Sequence, residues 1–282
     1  MPRATYAFSP TAIVLLTGLA MTQPCRAADA SPWDKDSHAQ VRLIAGLHRA
    51  SATPLRAGIE IELQPGWKTY WRYPGDSGVP PRFDFTGSQN VKAVNVLWPA
   101  PMRFSDGGGF SIGYHGHLIV PLHVVPEDAD KPVLLRLKVD YAICQNLCVP
   151  AEAHAELNLA DIAGAEEEAL TSAEARVPKP AVLGANAPLA IRAIHREAGK
   201  PLPRVVIDVA APAGAPLDLF VEGPTSDWAL PLPQERPSGS AGLRQFAFDA
   251  DGLPSGAKLE GSTLTFTLVS GPDAIEVKSH LD

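Results

Sequence analysis

Cys144 and Cys148 stand four residues apart in the run Cys144-Gln145-Asn146-Leu147-Cys148-Val149-Pro150. Two thiols at that spacing can cycle between dithiol and disulfide. A thiolate attacks a disulfide, a mixed disulfide forms, and a second thiolate resolves it. In an extended strand, residues four apart are separated by about 13 Å, whereas a disulfide needs Cα atoms within about 7 Å. The chain must therefore turn between the cysteines, and Gln145-Asn146 suits a turn. Pro150 stops any helix and favours an extended exit. The pair is expected in a tight loop between a strand over residues 133–141 and another over 153–159. Closing so short a loop is worth about 2 kcal/mol in the chain-entropy model. A chain of this length builds adequate cores without that staple. Redox function is therefore the favoured reading, with a local structural disulfide and metal binding as alternatives. No Lys or Arg lies within the loop to lower a thiol pKa. Asp140, Tyr141 and Glu152 flank it. Tyr141 is either a hydrogen-bond donor to a sulfur or a core aromatic at a strand end. The spacing leaves either sulfur as the attacking one.

The elements that hold this pair read as strands. Period-two alternation covers residues 55–63, 67–73, 91–98, 117–125, 133–141 and 153–159, with Pro65-Gly66 as a turn and 74–81 as a loop. Such runs, separated by turn residues, mark an antiparallel sandwich. Residues 161–176 are rich in Ala and Glu and predict a short helix. Three prolines within 177–188 end it. Six further alternating runs follow, over 189–195, 204–209, 217–222, 243–248, 263–269 and 274–278, enough for a second sandwich. The expected fold is all-β: two tandem immunoglobulin-like domains, 28–160 and 189–282, joined by a helical and Pro-rich linker, 161–188. The second block carries no cysteine and reads as a packing or docking module.

Residues 1–27 read as a cleaved secretion signal, with Arg3, an apolar stretch over 11–21 and small residues after it. The stretch is shorter than the ~20 residues that span a bilayer. The third cysteine, Cys25, falls inside this segment. Removing 1–27 takes Arg3 and Arg26 and no acid, which moves the formal charge from −7 to −9. An acidic chain without a basic stripe argues against nucleic acid and anionic lipid as partners. Ser111 in Gly109-Phe110-Ser111-Ile112-Gly113 has the form of a nucleophile elbow but lacks its strand–turn–helix setting.

Residues 141–152 resemble the cysteine motif of the periplasmic N-terminal domain of DsbD-type protein-disulfide reductases, closest to the ScsB branch linked to copper-stress tolerance. Other matching stretches are Gly66-Trp67-Lys68-Thr69-Tyr70-Trp71, Pro74-Gly75-Asp76-Ser77-Gly78, Trp98-Pro99-Ala100-Pro101 with Arg103-Phe104, Ser111-Ile112-Gly113-Tyr114, and Leu118-Ile119-Val120-Pro121-Leu122. The resemblance covers about residues 38–160. It implies an immunoglobulin-like sandwich whose Cys144–Cys148 pair passes electrons to periplasmic thioredoxin-fold partners. It implies no cofactor and no stable membrane insertion. In the family a membrane-embedded domain supplies electrons. Because the chain ends at Asp282, a separate membrane donor is expected. The family also has a cap loop over the pair, here residues 105–117, with Phe110 as the first candidate shield and Tyr114 as the second. The copper link raises a rival reading, in which both thiolates and His115 and His117 bind Cu(I) or zinc. Met102 and His123 are close in sequence, but Met is sparse.

Overall fold

A computed structural model describes Met1 and residues 28–47, 53–75, 78–106, 109–160, 163–198, 202–237 and 242–281. Apart from Met1, the expected signal segment lies outside the described residues. Among the described residues no helix is long and apolar enough to cross a membrane.

The first block contains strands β1 (Asp34–Lys35), β2 (Ala39–Ala45), β3 (Leu55–Leu63), β4 (Lys68–Gly75), β5 (Arg82–Asp84), β6 (Val91–Val96), β7 (Met102–Asp106), β8 (Gly109–His115), β9 (His117–Pro126), β10 (Leu134–Cys144) and β11 (Cys148–Asn158). They form two sheets, ordered β1-β2-β3-β9-β6 and β11-β10-β4-β8-β7, with β5 also pairing β10. Alternate residues of each strand point inward. Val41, Leu43, Ile59 and Val120 of one sheet meet Trp71, Ile112, Leu135, Val139 and Ile143 of the other in one core. That burial is the main stabilising term of the domain.

Helix α1 (Glu167–Ala175) follows, then β12 (Lys179–Pro180), β13 (Ala190–Glu197), β14 (Arg204–Ala210), β15 (Asp218–Glu222), β16 (Gln234–Arg236), β17 (Arg244–Asp249), β18 (Thr263–Ser270) and β19 (Asp273–His280). The second pair of sheets runs β12-β19-β18-β15 and β13-β14-β17-β16. Val205, Ile207, Phe246 and Phe248 pack there against Leu219, Leu264, Phe266 and Val277. The chain is thus all-β with immunoglobulin-like sandwiches, as the alternation predicts.

The helix read as part of the linker is docked on the first sandwich. Leu170 and Ala173 bury against Ile44 and Ile119 on the outer side of the β2–β3–β9 sheet. The approach is close because Gly58 offers no Cβ: one built there would lie 3.1 Å from Leu170 Cδ1. Arg56 then pairs with Glu167 at 2.5 Å and Glu174 at 2.7 Å. The Arg56 guanidinium holds the Glu167 carboxyl below its ordinary value near 4.5. A depressed acid contributes stability above that ordinary value and loses it as pH falls through its folded value. Arg56→Ala is therefore expected to lower the urea midpoint at pH 7 by the equivalent of about 1 kcal/mol, the scale of solvent-screened pairs. The gap from the unchanged protein should close toward pH 3. A gap that is constant with pH would contradict this account of the docking.

Candidate active site

The cysteines do not sit in a loop between two short strands. β10 and β11 are each 11 residues long, and their ladder runs without a break from Leu134↔Asn158 to Cys144↔Cys148. The pair is the last rung of a hairpin, and Gln145, Asn146 and Leu147 make the turn. Pro150 is tolerated because β11 is an edge strand. The two Cα atoms are 4.2 Å apart, and a disulfide joins the residues. That separation is near the ~4.5 Å of a non-hydrogen-bonded antiparallel pair. The turn is seated on the Gly66 turn: a Cβ there, at φ +85°, would lie 2.8 Å from Gln145 Nε2.

Side chains alternate across β10, and that decides what meets the sulfurs. Tyr141 and Ile143 face the core, whereas Ala142 and Cys144 lie on the other face and bury against Tyr70 of β4. The Tyr70 hydroxyl donates to Cys144 Sγ at 2.8 Å and lies 3.0 Å from Cys148 Sγ. One phenol thus touches both sulfurs. Tyr70 is 1% exposed. Its ring is closely covered by Gly78, where an added Cβ would lie 2.6 Å from Tyr70 Cδ1. On the opposite flank β8 abuts β4 at Gly113, where a Cβ would lie 2.0 Å from the Thr69 carbonyl oxygen. Gly113→Ala is expected to push these strands apart, costing about 1–3 kcal/mol as overpacking does and loosening Tyr70. Equilibrium unfolding checks it; a change below half a kilocalorie, roughly the scale of a surface substitution, would contradict the close approach.

The two sulfur-bearing residues differ in access. Cys144 is 2% exposed, while Cys148 is exposed. The neighbouring turn residue Leu147 is an exposed apolar side chain, at 79% exposure. Along the same hairpin lies an open groove of about 430 Å³, bordered by Val79, Arg82, Tyr141, Pro150 and Glu152. The register also brings a lysine backbone beside Cys144. Lys68 is the β4 partner of Cys144, and directly opposite residues share a face with Cβ atoms about 4.5–5.5 Å apart.

Residues 40–160, which include every residue just placed around the sulfurs, match the family described as thiol:disulfide interchange protein DsbD, N-terminal. Residues 40–160 are thus similar to a DsbD-type N-terminal domain. The chain also shares its fold with the crystal structure of the N-terminal periplasmic domain of ScsB from Proteus mirabilis. The TM-score is 0.70 at 23% identity, over 90% of this chain and 98% of that one. The likeness therefore extends beyond residues 40–160 into the second sandwich. No curated protein sequence matches the chain.

Within the first sandwich the other candidate residues are dispersed. Tyr141 is core-facing, and burial pushes its phenol well above the ordinary value. It does not share the face of Cys144, so the donor on the sulfurs is Tyr70. Of the expected cap over 105–117, residues 107–108 lie outside the described residues, and the rest belongs mostly to the paired strands β7 and β8, continued into β9. Phe110 packs against the main core, with the Arg103 guanidinium 5.4 Å from its ring. Tyr114 is likewise core-facing and donates to the Pro99 carbonyl at 2.8 Å. The hairpin ring nearest Lys68 is Phe104, with the ammonium 5.5 Å from its centroid. Tyr70 is thus the residue touching the sulfurs that the sequence reading missed. The strand pattern of residues 67–73, with Lys68 and Tyr70 alternating against Trp71, was the available signal.

His115 and His117 are not brought together with the thiols. His115 contacts the Phe104 ring edge-on at 5.9 Å. It lies two strands from Cys144 across Lys68, or about 10 Å at normal strand spacing. His117 is in the other sheet and bonds Glu60 Oε1 at 2.6 Å. His123 is also on β9, and Met102 is on β7. Among the described residues no cluster of three His, Cys, Asp or Glu side chains forms a metal site.

Proposed function

We propose that this protein is a periplasmic thiol–disulfide exchange protein that passes electrons between a membrane donor and thioredoxin-fold partners through Cys144 and Cys148. The observation that carries the reading is a disulfide with one exposed and one buried cysteine, both sulfurs touched by a single buried phenol. A staple for stability needs no such asymmetry.

The asymmetry assigns roles. A donor thiolate attacks the exposed Cys148 sulfur, a donor–Cys148 mixed disulfide forms, and the Cys144–Cys148 bond breaks. Cys144 leaves as a thiolate that accepts the Tyr70 hydrogen bond. The donor's second thiolate then attacks its own sulfur in the mixed disulfide. Cys148 is released as a thiolate, the donor is oxidised, and two electrons reside on the pair. Delivery to a partner is the reverse: Cys148 attacks the partner disulfide and Cys144 resolves it. Exposed Leu147, next to Cys148, supplies apolar contact where the partner's cysteine must approach.

The test is to mix the oxidised protein with a reduced thioredoxin-fold protein and follow the Cys144–Cys148 pair by thiol trapping. Transfer of the disulfide, reaching equilibrium within minutes, is the expected result. A pair that stays oxidised in the presence of excess reduced partner would contradict the proposal.

A further inference from the structure

The second sandwich contacts the strand that carries Tyr70 over three consecutive residues. The Trp71 ring lies 5.8 Å from Phe220, edge-on. Arg72 Nε and Nη2 bond both Glu222 oxygens at 2.9 and 2.7 Å, and Nη2 bonds Glu276 at 2.6 Å. Arg72 also stacks over Trp71 at 4.5 Å. The Tyr73 hydroxyl donates to the Leu230 carbonyl at 2.6 Å. Phe220 and Leu232 of the second sandwich are buried in the core of the first. On the neighbouring hairpin, Arg103 pairs with Asp218 at 2.5 Å and donates to the Pro233 carbonyl at 3.1 Å.

The pairing of β4 explains why these contacts matter for the sulfurs. β4 pairs β10 only at Lys68 and Thr69. It pairs β8 at Lys68, Thr69 and Tyr70, and the register then shifts before resuming at Gly75. Tyr70 is thus the last residue held by the ladder. Across the gap that follows, Trp71 packs in its own domain's core and also meets Phe220, while Arg72 and Tyr73 bond residues of the other domain. A bidentate, mostly buried guanidinium–carboxylate pair is directional as well as strong, so it fixes the strand's path as well as its proximity.

We infer that the second sandwich is the positioning element of the redox site, and that Arg72, clamped by Glu222 and Glu276, holds the Tyr70 hydroxyl on the two sulfurs. This rests on the exchange reading above and gives the second domain a role in it. Arg72 touches neither sulfur; it acts through Tyr70. The clamp makes the thiolate-stabilising hydrogen bond depend on the seating of one domain on the other.

The experiment is a double-mutant cycle in the full chain. Arg72→Ala is made with Tyr70 present and in the Tyr70→Phe background, and the pH profile of alkylation of the reduced pair is recorded with the rate of exchange. With Tyr70 present, Arg72→Ala should move the alkylation midpoint to higher pH and slow exchange about fivefold, a weakening rather than full loss of the charge-assisted Tyr70 hydrogen bond. In the Tyr70→Phe background the same change should do almost nothing. Glu276→Gln, which leaves both Glu222 contacts in place, should shift the profile the same way by less; it decides the matter if Arg72→Ala does not fold. An unmoved profile in the folded variants, or an equal shift with and without Tyr70, would overturn the inference. A chain that exchanges with no partner yet shows the Tyr70-dependent shift would instead refute the exchange reading and leave the clamp standing.

Discussion

Replacing Cys144 with serine is expected to leave Cys148 able to capture a partner but unable to release it. The exposed Cys148 sulfur forms the mixed disulfide, and Cys144, 2% exposed, is the group that resolves it. Mixed with a single-cysteine thioredoxin-fold protein activated as its thionitrobenzoate disulfide, Cys144→Ser should release the chromophore and form a stable covalent heterodimer on non-reducing gels. Cys148→Ser should do so at least about tenfold more slowly, because the remaining thiol is buried and thiol–disulfide exchange requires access. Multiple-turnover exchange should be lost in both. The opposite pattern, with Cys148→Ser the efficient trap, would reverse the roles.

Tyr70→Phe should slow exchange without unfolding the chain. The ring keeps its packing against Gly78 and Ala142, while the hydroxyl that meets both sulfurs is lost. A hydrogen bond to a charged group is worth about 1.5–3 kcal/mol, which is about tenfold to a hundredfold in rate at 1.4 kcal/mol per decade. The sign follows from the acceptor: a thiolate accepts the phenol more strongly than a disulfide sulfur does. Removing the donor therefore destabilises the reduced, ionised pair, raises the pH at which Cys144 ionises, and makes the disulfide harder to reduce. Tyr141→Phe serves as the comparison and should leave the rate unchanged, since that ring faces the core. Equal effects of the two changes would contradict the face assignment.

The contrast between these tyrosines shows how far the sequence could be read. Strand alternation and turn residues located both sandwiches, and the cysteine spacing located the disulfide pair. Tyr141 is closer to Cys144 in sequence, but an offset of three residues in a strand puts it on the opposite face. Tyr70 is 74 residues away and reaches the sulfurs only through the register of β4 against β10, which no local pattern states. The pairing of Lys68 with Cys144 was invisible for the same reason. The Gly-rich stretch drew attention to Phe110, yet the alternation of β8 groups Phe110 with core-facing Ile112 and Tyr114. The second domain read as bland because Phe220 and Leu232 look like ordinary core residues. Burial against a neighbouring domain leaves the same apolar signature as burial at home. Helix α1 was legible, but its docking through Arg56 is a long-range contact and was not.

The most direct test of the central claim is the reduction potential of the Cys144–Cys148 pair, measured on the purified protein by equilibration with glutathione and then dithiothreitol followed by thiol trapping. Exchange through an accessible, thiolate-stabilised pair predicts a value near or above roughly −230 mV, among known redox carriers. A value below about −300 mV, typical of structural disulfides, would contradict it.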